Sequence, residues 1–156
     1  MERGVIRFTV PGDVRAKDRP RIVRIGQLSR LANTPETVEY EKRVAAIATL
    51  AMGDREPYDC PMSMRLTARF TPPASASKKV RVEMLLGHHA PSRRDADNIA
   101  KIIGDALNGI VYRDDCLIVD LVARKVYAES AGADVFIAPH VPPHPRNWSL
   151  SQEAVL

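Results

Sequence analysis

Apolar and polar positions alternate from Val5 to Val10, with Ile6, Phe8 and Val10 on one face and Val5, Arg7 and Thr9 on the other. This period of two predicts a strand, ended by Pro11-Gly12. The next run, VRAKDRPRIVRIGQLSR, is polar and arginine-rich with Pro20 and Gly26, and is expected as a loop or loose hairpin. Thr34 ahead of Pro35 is an N-cap signal for a helix from Pro35 to about Met52, closed by Gly53. Val38, Tyr40, Val44, Ile47 and Leu50 are its expected core positions. Alternation returns from Pro61 to Thr71, with Met62, Met64, Leu66 and Ala68 facing inward, until Pro72-Pro73 stops it. Ser77 can cap a short helix, KKVRVEMLL, that ends at Gly87, and His88 to Ser92 forms a linker.

Beyond the linker the period changes to that of a helix. Ile99, Ile102, Ile103, Ala106 and Leu107 share a buried face, while Asp97, Lys101, Asp105 and Asn108 form a stripe near solvent. Asn108-Gly109 is a C-cap signal. A turn carrying Arg113-Asp114-Asp115 leads into a strand from Leu117 to about Tyr127, Glu129 to Ala133 reads as a hairpin loop, and Asp134 to Ala138 is the last strand. Four prolines between Pro139 and Pro145 predict a poorly ordered tail over 139–156, leaving one domain over 1–138 with no internal repeat.

A chain of 156 residues with 45% apolar content can bury a core of its own. No apolar stretch is long enough to span a bilayer, and the N-terminus lacks a signal-peptide core, so a cytoplasmic protein without membrane contact is expected. Two cysteines, Cys60 and Cys116, are too few and too far apart for a disulfide framework or zinc knuckle. Charge is unevenly placed: residues 1–30 hold eight basic against three acidic side chains, a balance of +5, which leaves −1 for the rest of a chain of net charge +4. A basic front end joined to an acidic centre fits a polyanion partner with a metal site between, although a solvated basic surface has the same composition.

The candidate chemistry lies in RRDADNIAKIIGDALNGIVYRDDCLIVD, residues 93–120. Asp95 and Asp97 stand two apart at a helix start, where free N–H groups and the helix dipole tolerate anions. Asp114 or Asp115, from the start of the next strand, would complete a carboxylate triad around a hard divalent cation such as Mg²⁺, or Mn²⁺ in its place. Such a site lowers the pKa of bound water and offsets charge on a scissile phosphate, and Lys101, one turn beyond Asp97, can reach that phosphate. Plainer roles exist for each: a cap for Asp95, a turn for Asp114-Asp115, a salt bridge for Asp105, a helical ion pair for Lys101, and an arginine partner for Asp120 within an apolar run. The reading therefore requires these carboxylates to meet in space.

Asp95-Ala96-Asp97-Asn98-Ile99-Ala100-Lys101, Asp105-Ala106-Leu107-Asn108-Gly109 and Tyr112-Arg113-Asp114-Asp115 closely resemble the D-x-D-N-x-x-K, D-A-L-N-G and D-D pattern of the RusA family of Holliday junction resolvases. Arg19-Pro20-Arg21, Ser75 to Lys79, Arg124-Lys125 and Tyr127 extend the similarity over about residues 5–138. The resemblance implies an α/β (α+β) fold, a small mixed sheet packed with a few helices, assembled as a homodimer. It implies an endonuclease that uses Mg²⁺ or Mn²⁺ to nick four-way junction DNA symmetrically. By motif position Asp95, Asp97 and Asp115 would be catalytic metal ligands, Asp114 an adjacent contributor and Lys101 the essential basic residue. Contacts to DNA are expected from Arg15, Lys17, Arg19, Arg21, Arg24, Lys78, Lys79, Arg93 and Arg94. Cys116 stands where a small polar residue is expected, and the tail has no counterpart in the pattern.

Three rivals share parts of this chemistry. A branched-DNA-binding protein without cleavage would need only the basic front end. A haloacid-dehalogenase-type phosphatase carries D-x-D after a hydrophobic strand, whereas Asp95 follows HHAPSRR. An EF-hand needs further oxygen ligands and a terminal Glu within its loop, where this stretch becomes helical.

Overall fold

A computed structural model describes residues 4–142. Its strands form where burial alternates: β1 (Ile6–Pro11), β4 (Met62–Phe70), β5 (Ile118–Tyr127) and β6 (Gly132–Pro139) build a four-stranded sheet in the order β1-β6-β4-β5. β6 runs antiparallel to both β1 and β4, with Ile137 opposite Ile6 and Val135 opposite Leu66. β5 runs parallel to β4, with Ala123 opposite Leu66. A parallel pair needs a long crossover, and the chain between β4 and β5 supplies two helices there, α2 (Lys78–Leu85) and α3 (Ala96–Leu107). β2 (Arg21–Ile25) and β3 (Leu28–Ala32) form a separate two-stranded hairpin.

One sheet face is covered by α1 (Pro35–Met52) and α3, which also pack on each other. Tyr40 and Val44 of α1 and Ile99, Ile102, Ile103 and Leu107 of α3 are buried against Ile6, Val10, Met62, Met64, Leu66 and Ile137 of the strands. The other face stays polar: Arg7 stacks over Phe136 with its guanidinium 5.0 Å from the ring centre, and Arg69 pairs with Asp134 at 2.8 Å. An antiparallel edge tolerates water on one side in this way. The fold is thus α+β with a mixed sheet, as expected.

Thr34 caps α1 by accepting the Thr37 N–H, and Ser77 caps α2 through the Val80 N–H, both where the sequence places them. The inward stripe of α1 differs from expectation. Thr37, Tyr40, Val44, Ala48 and Met52 are buried, Ile47 is half-buried, and Val38 and Leu50 face solvent. Polar Thr37 and small Ala48 are buried, which apolarity alone does not predict. The loop after β5 is not a hairpin loop: β5 and β6 lie on opposite sides of β4, so the chain reverses and passes the end of β4. β6 extends through Pro139, and the His140 N–H donates to the Pro61 carbonyl at 2.8 Å, so the strand runs past Ala138. Most of the expected proline-rich tail, from 143 onward, lies outside the described residues.

Candidate active site

The start of α3 is set by one backbone residue. Arg94 has φ +60°, the left-handed conformation that most side chains avoid, and is the one non-glycine residue in it among the described residues. The Lys125 ammonium, from β5, donates to the Arg94 carbonyl at 2.8 Å. This turn delivers Asp95 to the N-cap position of α3. The Asp95 side chain makes no cap hydrogen bond and meets only the Asn98 amide at 3.4 Å. The plain capping role is therefore unfilled, and the carboxylate is exposed beside Asp97 in the first helical turn.

The second pair is held by the segment after α3. Asn108 N–H turns back to the Asp105 carbonyl, and the buried Tyr112 hydroxyl takes up the Gly104 carbonyl at 2.8 Å. Gly109, at φ +72°, lets the chain turn so that its N–H reaches the Tyr112 carbonyl at 2.8 Å. Tyr58 then clamps the segment through bonds to the Val111 carbonyl and from the Arg113 N–H. Asp114 follows as the cap of a short 3-10 turn, Asp115–Leu117, and accepts the Cys116 N–H at 2.9 Å. That backbone N–H, more than any other neighbour, holds the Asp114 carboxyl below the usual range. Asp114 thus fills the turn role and leaves Asp115 as the freer acid. Burial, then the charges of Asp115 and Asp105, hold the Tyr112 phenol protonated well above its ordinary range.

Among the described residues, Asp95, Asp97, Asp115 and Lys101 form no ion pair. Lys101 is exposed on α3 and pairs with neither Asp97 nor Asp105. Asp105 instead binds Lys17 at 2.8 Å, and the same ammonium bonds Glu41 of α1. Lys17, expected among the phosphate contacts, is therefore neutralised by two carboxylates at the foot of the basic segment. Its N–H also donates to the Asn98 carbonyl at 2.9 Å. Asp18 accepts from the Thr34 and Thr37 hydroxyls at 2.9 and 3.3 Å, tying the segment to the start of α1. Asp120 is half-exposed on the open sheet face beside Ser63, Arg65 and His140, and forms no arginine ion pair among the described residues.

The Tyr40 hydroxyl is buried without a hydrogen-bond partner among the described residues. Burial pushes its pKa up to about 12, tempered by the backbone of Arg15 and by the charges of Arg43 and Arg94. Arg19, Arg21, Arg24, Lys78, Lys79 and Arg93 are exposed, and Arg15 and Arg94 are half-buried.

The carboxylates offer only oxygen donors, the set preferred by Mg²⁺ and Mn²⁺. Their geometry falls short of the expected triad: no three Asp, Glu, His or Cys side chains among the described residues gather to hold an ion. α3 packs on the 3-10 turn, and the acids of the two elements do not close on one point among the described residues.

Comparison with known proteins decides the kinship. The family model described as endodeoxyribonuclease RusA matches residues 11–138. The chain belongs to the RusA family. It is also 32% identical over 136 residues to the uncharacterized protein YqaN of Bacillus subtilis (strain 168), spanning 85% of this chain and 94% of that one. Within this RusA-family chain, sequence reasoning missed two supports: Lys125 under the Arg94 turn, and Glu41 beside Lys17. Neither carries a local signal, because each partner lies at least 24 positions away.

Proposed function

We propose that this RusA-family chain is a Mg²⁺-dependent endonuclease (Mn²⁺ substituting) that resolves four-way DNA junctions by paired nicks, acting as a homodimer on cytoplasmic DNA. The observation that carries the reading is the pair Asp95 and Asp97. Both are exposed and, like Lys101 one turn further along the same helix, without ion-pair partners among the described residues. Membership of a family described by its endodeoxyribonuclease supports the substrate class.

Asp95 and Asp97, with Asp115, would hold the ion. When bound, it would acidify a water and offset charge on the scissile phosphate. The open arrangement suits Mg²⁺, which is commonly held by one or two carboxylates, waters and substrate phosphate rather than by an all-protein cage. Lys101 places its ammonium for a non-bridging phosphate oxygen, where it stabilises developing charge. A two-fold dimer presents two such sites to a two-fold junction, which matches paired nicks. No helix of the described residues is long and apolar enough to cross a membrane.

A non-cleaving branched-DNA binder is the second reading, favoured by the failure of three carboxylates to converge. A nicking assay on a synthetic four-way junction, with and without Mg²⁺, separates the two. Paired nicks only with the metal support the nuclease; tight binding with no product supports the binder.

A further inference from the structure

The hairpin of β2 and β3 is an arm attached at its foot and uncovered along its length. It pairs with no other strand, and every described side chain from Arg21 to Leu31 is exposed. Two-stranded hairpins are marginal in water by themselves, so the exposed apolar surface needs another reason to persist. Ile22 and Leu31 stand directly opposite each other, which puts them on one face, and they are 72% and 67% exposed. Leu28, beside the Gly26-Gln27 turn, is 77% exposed. The segment 19–32 contains four arginines and no acid. A surface at once apolar and strongly cationic matches a polyanion that also offers apolar faces, as nucleic acid does where bases are unstacked.

The foot of the arm fixes where that ligand lies. Lys17 bonds the Asn98 carbonyl and the Asp105 carboxylate of α3, and Asp18 bonds Thr34 just beyond β3. Entry and exit of the arm are thereby anchored, and its entry is anchored one residue from Asp97. A nucleic acid held at the α3 carboxylates would therefore lie beside the foot of the arm.

We propose that the Ile22–Leu31 pair engages unstacked bases at the branch point of DNA, while Arg19, Arg21 and Arg24 hold the flanking phosphates. The proposal rests on the junction-cleaving reading and specifies which part of the junction the protein distorts. The test uses full-length protein without divalent metal and a four-way junction carrying 2-aminopurine at the branch, whose fluorescence rises on unstacking.

Wild type is expected to raise the signal several-fold. Ile22→Ser/Leu31→Ser is expected to abolish most of that rise and weaken junction binding about tenfold, with linear-duplex binding held within about twofold. Ile22→Phe, which stays apolar and adds a flat ring able to stack on a base, is expected to retain the rise. The same rise with the double variant overturns the proposal. So does retention of wild type on anionic vesicles that the double variant abolishes, or a dimer-to-monomer change in the double variant with the fluorescence rise intact. These outcomes would assign the pair to a membrane or to a second copy of the chain. If wild type neither prefers nor cuts junctions, the functional reading itself fails. Cutting with a flat wild-type fluorescence signal removes only the role of the arm.

Discussion

Arg94 carries a conformational cost that its neighbour on β5 offsets. A left-handed backbone disfavours an L side chain by about 1–2 kcal/mol, and the Lys125 ammonium on the Arg94 carbonyl holds the turn that presents Asp95. A support that orients a ligand is commonly worth about 10–100-fold in metal affinity or activity when removed. Lys125→Met is therefore expected to lower the single-turnover cutting rate about tenfold at saturating protein, and Lys125→Arg to restore most of it. If the rate stays unchanged while only the melting temperature falls, Lys125 is structural and the turn needs no holding. Asp114 and Asp115 illustrate the same division of labour, since adjacent residues of one type take different roles. Asp114 accepts a backbone N–H and behaves as a turn residue, whereas Asp115 has no such hydrogen bond among the described residues.

The elements explain why parts of the fold could be read in advance. β1, β4, α1, α2 and α3 are announced by local periods, proline and cap residues, and each forms close to where those signals lie. Asp95, Asp97 and Lys101 are legible for the same reason, because helical spacing is local. Long-range pairing is not encoded that way. The turn residues after β5 say that the chain reverses, but β4 takes both β5 and β6 as neighbours, and no local pattern states that choice.

The ion group around Lys17 joins three distant segments and is likewise silent in the sequence. Burial alone would lower the Lys17 pKa, and the hydrogen bonds and charges of Asp105 and Glu41 overcome it and raise it. A raised lysine contributes its stability below the unfolded value of 10.5 and loses it as pH climbs through the folded value. Lys17→Met is expected to cost about 1–3 kcal/mol at pH 7 in urea unfolding, since the cluster is only partly screened by solvent. That deficit relative to wild type should shrink as pH rises above the lysine range. Tyr112→Phe tests the C-terminal end of α3: the Gly104 carbonyl loses its partner, and stability is expected to fall by about 1–2 kcal/mol in the same measurement.

For the whole molecule, the account joins a basic arm and an acidic helix start through a common foot on α3. The open carboxylate arrangement implies that ion and DNA complete each other's sites. Free protein is then expected to bind Mn²⁺ weakly, and a four-way junction to tighten that binding by the same factor by which the ion tightens the junction. Equal Mn²⁺ affinity with and without DNA would show that the two sites are uncoupled. The most direct measurement sets wild type beside Asp97→Asn on one synthetic four-way junction in Mg²⁺, following binding and nicking together. Removing one negative charge from beside the phosphate is expected to leave junction binding equal or tighter and to abolish the nicks. Undiminished nicking by Asp97→Asn would contradict the assignment of the α3 carboxylates to catalysis.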